Sequence, residues 1–215
     1  MGRAVMFIGH FAVAYVLIRL FPGVLPVIPL LGVNFPDLLW PVLVLSGIEK
    51  VSIDPESPLQ NHIKFTSYPY SHSLLLGTLI ACVLGLGLAY FSSPLAGFVF
   101  VVASMSHWLL DALFHLRDLP VLGFGSDRKV GFGLWNYPKS AFVIEYLFYA
   151  ILTALTFPSK LMPLLLIGAV FHLINANSFL GLTKTNPFKS PGVYAMLALV
   201  GILAFSLLAN YVISG

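Results

Sequence analysis

Long apolar runs, separated by short polar or proline-containing stretches, follow one another along almost the whole chain. Most of them reach the length of about 20 residues that a helix needs to cross the hydrocarbon core of a bilayer. The composition points the same way, because 59% of the residues are hydrophobic and only 9% are charged, and the mean hydropathy is +0.95. The sequence therefore predicts an all-α, polytopic transmembrane helix bundle, with residues 1–215 forming a single integral membrane domain.

The apolar runs give a predicted count of about seven spans, with roughly six as the alternative. We place them at residues 4–21, 24–48, 70–91, 94–115, 139–157, 160–177 and 191–213. The second run contains four prolines. Because proline removes a backbone donor, this span is expected to be kinked or broken around residues 34–37. Residues 49–69 are predicted to form a loop or a short surface helix, and residues 116–138 a glycine-rich loop.

The basic residues indicate which side of the membrane each loop occupies. If the spans alternate, one side receives Arg3, Lys50, Lys64, Arg117, Arg128, Lys129, Lys139, Lys184 and Lys189, and the other side receives Arg19 and Lys160. The richer side is expected to be cytoplasmic. We therefore predict a multi-pass protein of the plasma or inner membrane with a cytoplasmic N-terminus and, for seven spans, an external C-terminus. Dispersed charge does not favour nucleic-acid binding, so the expected partner is the lipid bilayer, and the oligomeric state stays open.

Five ionisable side chains lie within or at the edges of these apolar runs: His10, Asp37, His72, His107 and Asp111. Such groups are costly inside a membrane and usually functional. In the predicted topology all five can reach one layer in the cytoplasmic half of the bilayer, at about 1.5 Å of rise per helical residue. Histidine nitrogen and aspartate oxygen together suit a divalent metal, zinc first and manganese second. Each residue taken alone also fits a structural role, as a helix cap or a buried hydrogen-bonding pair.

Several other polar residues are candidates for the same site. His62, His115 and His172 are candidate additional ligands, although a helix-capping role is favoured for His172. Glu145 and Asp111 are candidate catalytic groups, and Glu145 could instead be a ligand or support one. In the glycine-rich loop, Arg128 and Lys129 could receive a phosphate head group, and Asn136 is a further candidate for substrate binding.

The order of these motifs resembles a known family. Gly9–His10 lies in a first helix, Pro36–Asp37 in a second, His72–Ser73 opens a third, and Ser106–His107 with Asp111 closes a fourth. Over roughly residues 1–120 this order is similar to that of bacterial and archaeal membrane-bound metal-dependent hydrolases. Leu39 stands where that family typically has a second aspartate, and Ser67 where it has an earlier histidine. Residues 6–12, 37–41 and 133–136 resemble a closer subgroup of membrane proteins without an established substrate.

The resemblance implies metal-dependent hydrolysis, and the predicted depth of the polar residues adds a substrate class. A metal ion would lower the pKa of a bound water toward neutrality. The expected substrate is an ester or phosphoester of a lipid, or of a lipid-linked molecule, at the cytoplasmic leaflet. Two other classes stay open: an ion- or proton-coupled transporter or channel that uses the same His/Asp cluster, and a non-catalytic membrane scaffold.

Overall fold

The structure, a computed structural model, describes residues 7–53, 63–182 and 190–215. About 75% of it is helical. The α-helices are α1 (Ile8–Leu20), α2 (Val27–Val33), α3 (Phe35–Leu45), α4 (Pro69–His72), α5 (Leu74–Phe91), α6 (Pro94–Phe114), α7 (Pro138–Thr156), α8 (Leu161–Ile174), α9 (Ala176–Leu180) and α10 (Pro191–Ser214). Short 3-10 helices cover Leu134–Asn136 and Pro158–Lys160. Strands β1 (Lys50–Ile53) and β2 (Ile63–Ser67) form one antiparallel pair, and β3 (Leu119–Pro120) and β4 (Lys129–Val130) form another.

Four of the described helices, α5, α6, α7 and α10, are long and apolar enough to cross a membrane. Helices α2 and α3 together make a fifth span if the bent pair counts as one. The predicted first and sixth spans correspond to shorter apolar helices, Ile8–Leu20 and Pro158–Ile174. Four or five spans are consistent with a membrane protein, while the predicted count of seven is not confirmed.

Much of the outer surface of the long helices is apolar, as contact with lipid requires. On α5, for example, Val83, Leu86 and Phe91 are 68%, 72% and 86% exposed. Soluble proteins rarely expose large apolar patches, whereas in a bilayer these side chains would contact the acyl chains of lipids. The backbone donors and acceptors of these segments are satisfied within each helix, which is the second requirement of the hydrocarbon core.

The break predicted in the second span is present. Helix α2 ends at Val33 and α3 begins at Phe35, and the two axes differ by 59°. Pro36 lies in the first turn of α3, where proline is tolerated because its missing N–H would have no intrahelical partner. Asp37 therefore occupies the first turn of α3, where the positive end of the helix dipole favours a carboxylate.

Residues 49–69 differ from the predicted loop or surface helix. The described parts form the β1–β2 pair, with Lys50 opposite Ser67 and Ile53 opposite Ile63. The physical reason is local composition, because β-branched residues such as Val51 and Ile53 favour extended backbone. The pairing brings the end of the second apolar run next to the start of the third.

A two-residue turn joins helices α5 and α6 into an antiparallel hairpin. Ser93 caps α6 by accepting the N–H of Ala96 at 3.1 Å. The small residues Gly77, Ala81 and Gly85 recur every four residues on α5, and this face is buried. A Cβ built on Gly85 would lie 3.0 Å from the carbonyl oxygen of Gly97, so the two backbones touch where glycines meet.

Replacing Gly97 by leucine should separate this hairpin. A Cβ at Gly97 would meet the Gly85 carbonyl and would lie 2.9 Å from the Cβ of Ala89, and overpacking of this kind costs about 1–3 kcal/mol. We expect a lower thermal unfolding temperature for Gly97→Leu in detergent. Gly87→Leu is the control, because a Cβ there meets nothing within 4 Å. Equal unfolding temperatures for the two variants would contradict the close contact.

Candidate metal centre

The five side chains predicted from the apolar runs come together in one buried cluster. His10 comes from α1, Asp37 from the first turn of α3 and His72 from the end of α4. His107 and Asp111 lie one turn apart on α6. All five are buried, with at most 8% of any residue exposed. Helices far apart in sequence therefore deliver their ionisable groups to a single point.

Two overlapping groups within the described residues, called the metal-type groups below, have the geometry to hold a metal ion. One contains His10, His107 and Asp111, and the other contains Asp37, His72 and His107. In each group the potential ligand atoms lie within 4.8 Å of one another. His107 belongs to both, so it is the centre of the cluster. The ligand role of these residues stays a prediction, but the required proximity is present.

A backbone carbonyl orients His107 and selects the tautomer of its neutral ring. Its Nδ1 lies 2.7 Å from the oxygen of Val33, which can only accept, so we place the hydrogen of the neutral ring on Nδ1. The opposite nitrogen, Nε2, then presents a lone pair. It lies 3.3 Å from Oδ2 of Asp111 and 3.8 Å from Oδ1 of Asp37, and it has no hydrogen-bond partner among the described residues. Acceptor atoms thus face one another, an arrangement that a cation stabilises.

His72 is oriented in the same way by a buried chain of hydrogen bonds. Glu49 accepts the backbone N–H groups of Tyr70 and Ser71 at 2.8 and 3.0 Å, and it accepts the Ser71 hydroxyl at 2.6 Å. The Ser71 oxygen then accepts from Nδ1 of His72 at 2.7 Å. In the neutral ring, Nε2 of His72 then carries a lone pair, and it lies at hydrogen-bond distance, 3.1 Å, from Oδ1 of Asp37. Metal-binding histidines are typically held by a carbonyl or carboxylate in this manner.

Sequence reasoning missed Glu49, which it placed in a surface stretch. The residue is only 1% exposed. One signal could have found it: like Asp111, it is a lone carboxylate directly at the end of an apolar run. Nothing in the sequence, however, connects Glu49 with Ser71.

The distances between nitrogen and oxygen donor atoms in the cluster are close to those between the ligands of a tetrahedral ion. Ligands about 2.0–2.1 Å from a zinc ion at tetrahedral corners lie about 3.4 Å apart. The Nε2–Oδ distances are 3.3 Å for His10 and Asp111, 3.3 Å for His107 and Asp111, and 3.1 Å for His72 and Asp37. Because the Nε2 of His107 has one lone pair, the two groups compete for it, and the arrangement fits one ion at a time on His107.

His10 and His115 complete the surroundings of Asp111. The His10 ring stacks on His107 with centroids 3.7 Å apart and planes 12° from parallel. Neither ring nitrogen of His10 has a hydrogen-bond partner in the described part of the chain. On the other side, Nε2 of His115 lies 3.6 Å from Oδ2 of Asp111, and its Nδ1 lies 3.2 Å from Oδ1 of Asp118. His115 is therefore adjacent to the cluster, whereas the other candidate ligand, His62, lies outside the described residues.

Glu145 and His172 form a separate buried pair. Oε1 of Glu145 accepts the backbone N–H groups of Phe7 and Gly9 at 2.6 and 3.1 Å, so it satisfies free donors at the start of α1. Its Oε2 lies 3.9 Å from Nδ1 of His172, and Nε2 of His172 donates to the carbonyl of Phe142 at 2.9 Å. Neither residue belongs to the two metal-type groups found in the described residues. Their roles as base and ligand stay predictions.

The three loop residues predicted to bind substrate are exposed. Lys129 is connected to the cluster through one aromatic ring, because its Nζ lies 6.0 Å from the ring centroid of Tyr68. Tyr68 in turn contacts the His72 ring edge to face at 5.7 Å. Arg128 and Asn136 lie in the same loop. The positions suit groups that meet a substrate at the surface, and the role itself stays a prediction.

Hydrogen bonds fix the glycine-rich loop beside the end of α6. Phe132 donates its N–H to the carbonyl of Ala112 at 2.8 Å. Within the loop, Asp127 accepts the N–H groups of Leu122 and Gly123 at 2.8 and 2.7 Å. Slight burial raises the pKa of Asp127, but these backbone bonds outweigh it and hold that pKa below its ordinary value. The carboxylate therefore keeps its charge and its hydrogen bonds at neutral pH.

Fold and site together define a class: a helical protein with four or five apolar helices that could span a membrane, and with a buried His/Asp cluster that could hold a metal ion. Comparisons with protein-family models, with curated proteins and with solved structures found no match. The resemblance to membrane-bound metal-dependent hydrolases therefore stays a prediction from the residues quoted for it.

Proposed function

We propose that the protein is a membrane-embedded, metal-dependent hydrolase of an ester or phosphoester in a lipid or a lipid-linked substrate. One observation carries the proposal: Nδ1 of both His72 and His107 lies at hydrogen-bond distance from an acceptor oxygen, so in the neutral rings both Nε2 lone pairs face buried carboxylates. Buried groups of this kind repel one another unless a cation, either a metal ion or a proton on an imidazole, lies between them. Zinc, or manganese as the second choice, suits the mixed nitrogen and oxygen donors.

The chain's own residues would divide the work between holding the ion and moving a proton. His10, Asp37, His72, His107 and Asp111 supply more donors than a catalytic zinc site needs, since such sites use about three protein ligands and leave one position open. A bound metal supplies Lewis acidity and a water of lowered pKa. A carboxylate that is not needed as a ligand, Asp37 or Asp111, could accept the proton, and Glu145 is the alternative base.

The proposed topology follows the charge distribution. Seven spans, counting α1 and the helix over residues 158–174 as two of them, place the N-terminus in the cytoplasm and the C-terminus outside the plasma or inner membrane. The cluster then lies on the cytoplasmic side, where Arg128 and Lys129 can attract a phosphate group. Asn136 would add a neutral hydrogen-bonding group to the same surface.

The proposal is tested by hydrolysis in purified, vesicle-reconstituted protein. Phosphatidic acid, phosphatidylglycerol and a p-nitrophenyl ester are suitable first substrates. We expect a chelator to abolish turnover and zinc or manganese to restore it. The His107→Gln substitution should reduce turnover by at least about 100-fold, as expected when an essential catalytic group is lost. Metal flux across the vesicle without hydrolysis would instead establish the transporter alternative. Metal binding without either activity would leave a structural role and overturn the proposal.

A further inference from the structure

A cavity of about 360 Å³ lies between α3, α8 and α10 and reaches the buried His/Asp cluster. Its lining is largely apolar and includes Trp40, Phe171, Gly201 and Ile202. Among the described residues that line it, Asp37, a member of the cluster, is the only acidic or basic one. The cavity therefore joins an apolar space to the group that faces His72 and His107.

The cavity also reaches the outer surface of the helices. Two of its lining residues, Ile174 on α8 and Leu197 on α10, are 68% and 51% exposed. Its lining on α10 runs from Tyr194 to Ile202, a distance of about 12 Å along the helix axis at 1.5 Å per residue. For a helix that crosses a membrane, this surface faces acyl chains, so the apolar end of the cavity opens toward lipid.

The size of the space fits a flexible aliphatic chain. An apolar cavity of about 150 Å³ stays dry and holds one benzene molecule, so the larger cavity here has room for an aliphatic segment of more than ten carbons. Ligand sites in proteins typically combine such an apolar enclosure with a few polar groups that fix orientation. Here the polar end is Asp37, and a water-soluble substrate would leave most of the lining without a partner.

We propose that this cavity, the α8–α10 cavity, binds one acyl chain of a membrane phospholipid and directs the ester or phosphoester of that lipid toward Asp37. The assignment rests on the proposed hydrolase function and adds the substrate class and the route of entry, sideways from the bilayer. It also explains why a cluster so well buried from water contacts an apolar space.

Gly201 offers a direct way to fill the cavity. A Cβ built on it meets nothing within 4 Å, so a phenylalanine at this position can extend into the space without displacing backbone. Gly87 on α5 is the matched control: it is also a half-buried helical glycine, and a Cβ there also meets nothing within 4 Å. Gly201→Phe and Gly87→Phe add the same side chain, one inside the cavity and one outside it.

The experiment uses full-length protein in vesicles of phosphatidylethanolamine and phosphatidylglycerol, with a fraction of the phosphatidylglycerol carrying a photoreactive diazirine on one acyl chain. After illumination, modified residues are mapped by mass spectrometry and metal content is measured on the same samples. Ile202 is the diagnostic residue, because it lines the cavity and is only 3% exposed. Exposed lipid-facing residues should be labelled in every sample and serve as the internal reference.

We expect Ile202 to be labelled in the native protein and in Gly87→Phe, and its labelling to fall at least fivefold in Gly201→Phe with metal content unchanged. Equal labelling of Ile202 in both variants, or no labelling in the native protein, would overturn the acyl-chain assignment and leave the metal proposal intact. Absence of metal from the native protein and both variants would overturn the hydrolase proposal. The labelling pattern would still decide whether lipid enters the cavity.

Discussion

Replacing His107 by glutamine should abolish stoichiometric metal binding. His107 belongs to both metal-type groups, and its Nε2 lies within 4 Å of Asp37 and Asp111. Glutamine retains a donor for the Val33 carbonyl but cannot offer a ring lone pair in the same place. Loss of a group that hydrogen-bonds to a metal ligand typically lowers metal affinity about 10–100-fold. Loss of this shared ligand itself should therefore lower the affinity more than about 100-fold.

The measurement is elemental mass spectrometry of detergent-purified protein, with near-stoichiometric zinc or manganese expected in the native chain. His172→Gln is the control, because His172 is also a buried histidine with one nitrogen bonded to a carbonyl, yet it lies outside the two groups. It should keep its metal. A double variant, His107→Ala with Asp111→Ala, should behave like His107→Gln if it stays folded. Native protein without metal after supplementation with zinc and manganese would contradict the site.

Replacing Glu49 by glutamine is expected to weaken metal binding about 10–100-fold, although Glu49 supports the site only through Ser71. The amide nitrogen would donate to the Ser71 oxygen, and the Ser71 hydroxyl would then turn toward Nδ1 of His72. His72 would shift its hydrogen to Nε2, the atom that faces Asp37 at 3.1 Å. A ring nitrogen that carries a hydrogen cannot bind a metal.

Ser71→Ala separates this explanation from simple loss of structure. Alanine removes the hydroxyl and leaves His72 free to keep its hydrogen on Nδ1, so metal affinity should fall less than in Glu49→Gln. Isothermal titration with zinc measures both affinities, and nitrogen NMR of labelled histidine reports the tautomer of His72 directly. If Ser71→Ala is the weaker binder, the chain of hydrogen bonds does not act through the tautomer.

The sequence could predict the helical membrane class, the break in the second span and the five members of the cluster. Each depends on local chemistry: apolar length, proline, and the cost of an ionisable group among apolar residues. His107 and Asp111 were linked by helical spacing alone. Their meeting with His10, Asp37 and His72 was inferred from agreement in predicted depth, together with the cost of leaving ionisable groups against lipid, which favours faces that point into the bundle.

The remaining features depend on side-chain geometry between distant segments. Glu49 supports His72 through contacts across 22 residues, and no periodic pattern records such a pairing. Glu145 was predicted as a catalytic group or ligand, and its Oε1 accepts N–H groups at the start of α1, where a helix leaves donors without intrahelical partners; nothing in the sequence pairs these two segments. The span count stays open for a different reason: α1 has 13 described residues, short of the about 20 that length alone requires.

The break between α2 and α3 has a consequence for a residue on another helix. A helix that stops leaves its last carbonyl groups without intrahelical partners, and the Val33 carbonyl at the end of α2 is the one that His107 uses. An uninterrupted second span would engage that oxygen in its own helical hydrogen bonds and would leave Nδ1 of His107 without this acceptor. The break in the second span thus frees the carbonyl group that orients His107 on α6. A substitution elsewhere that straightened this span would therefore weaken metal binding without replacing any of the five cluster residues.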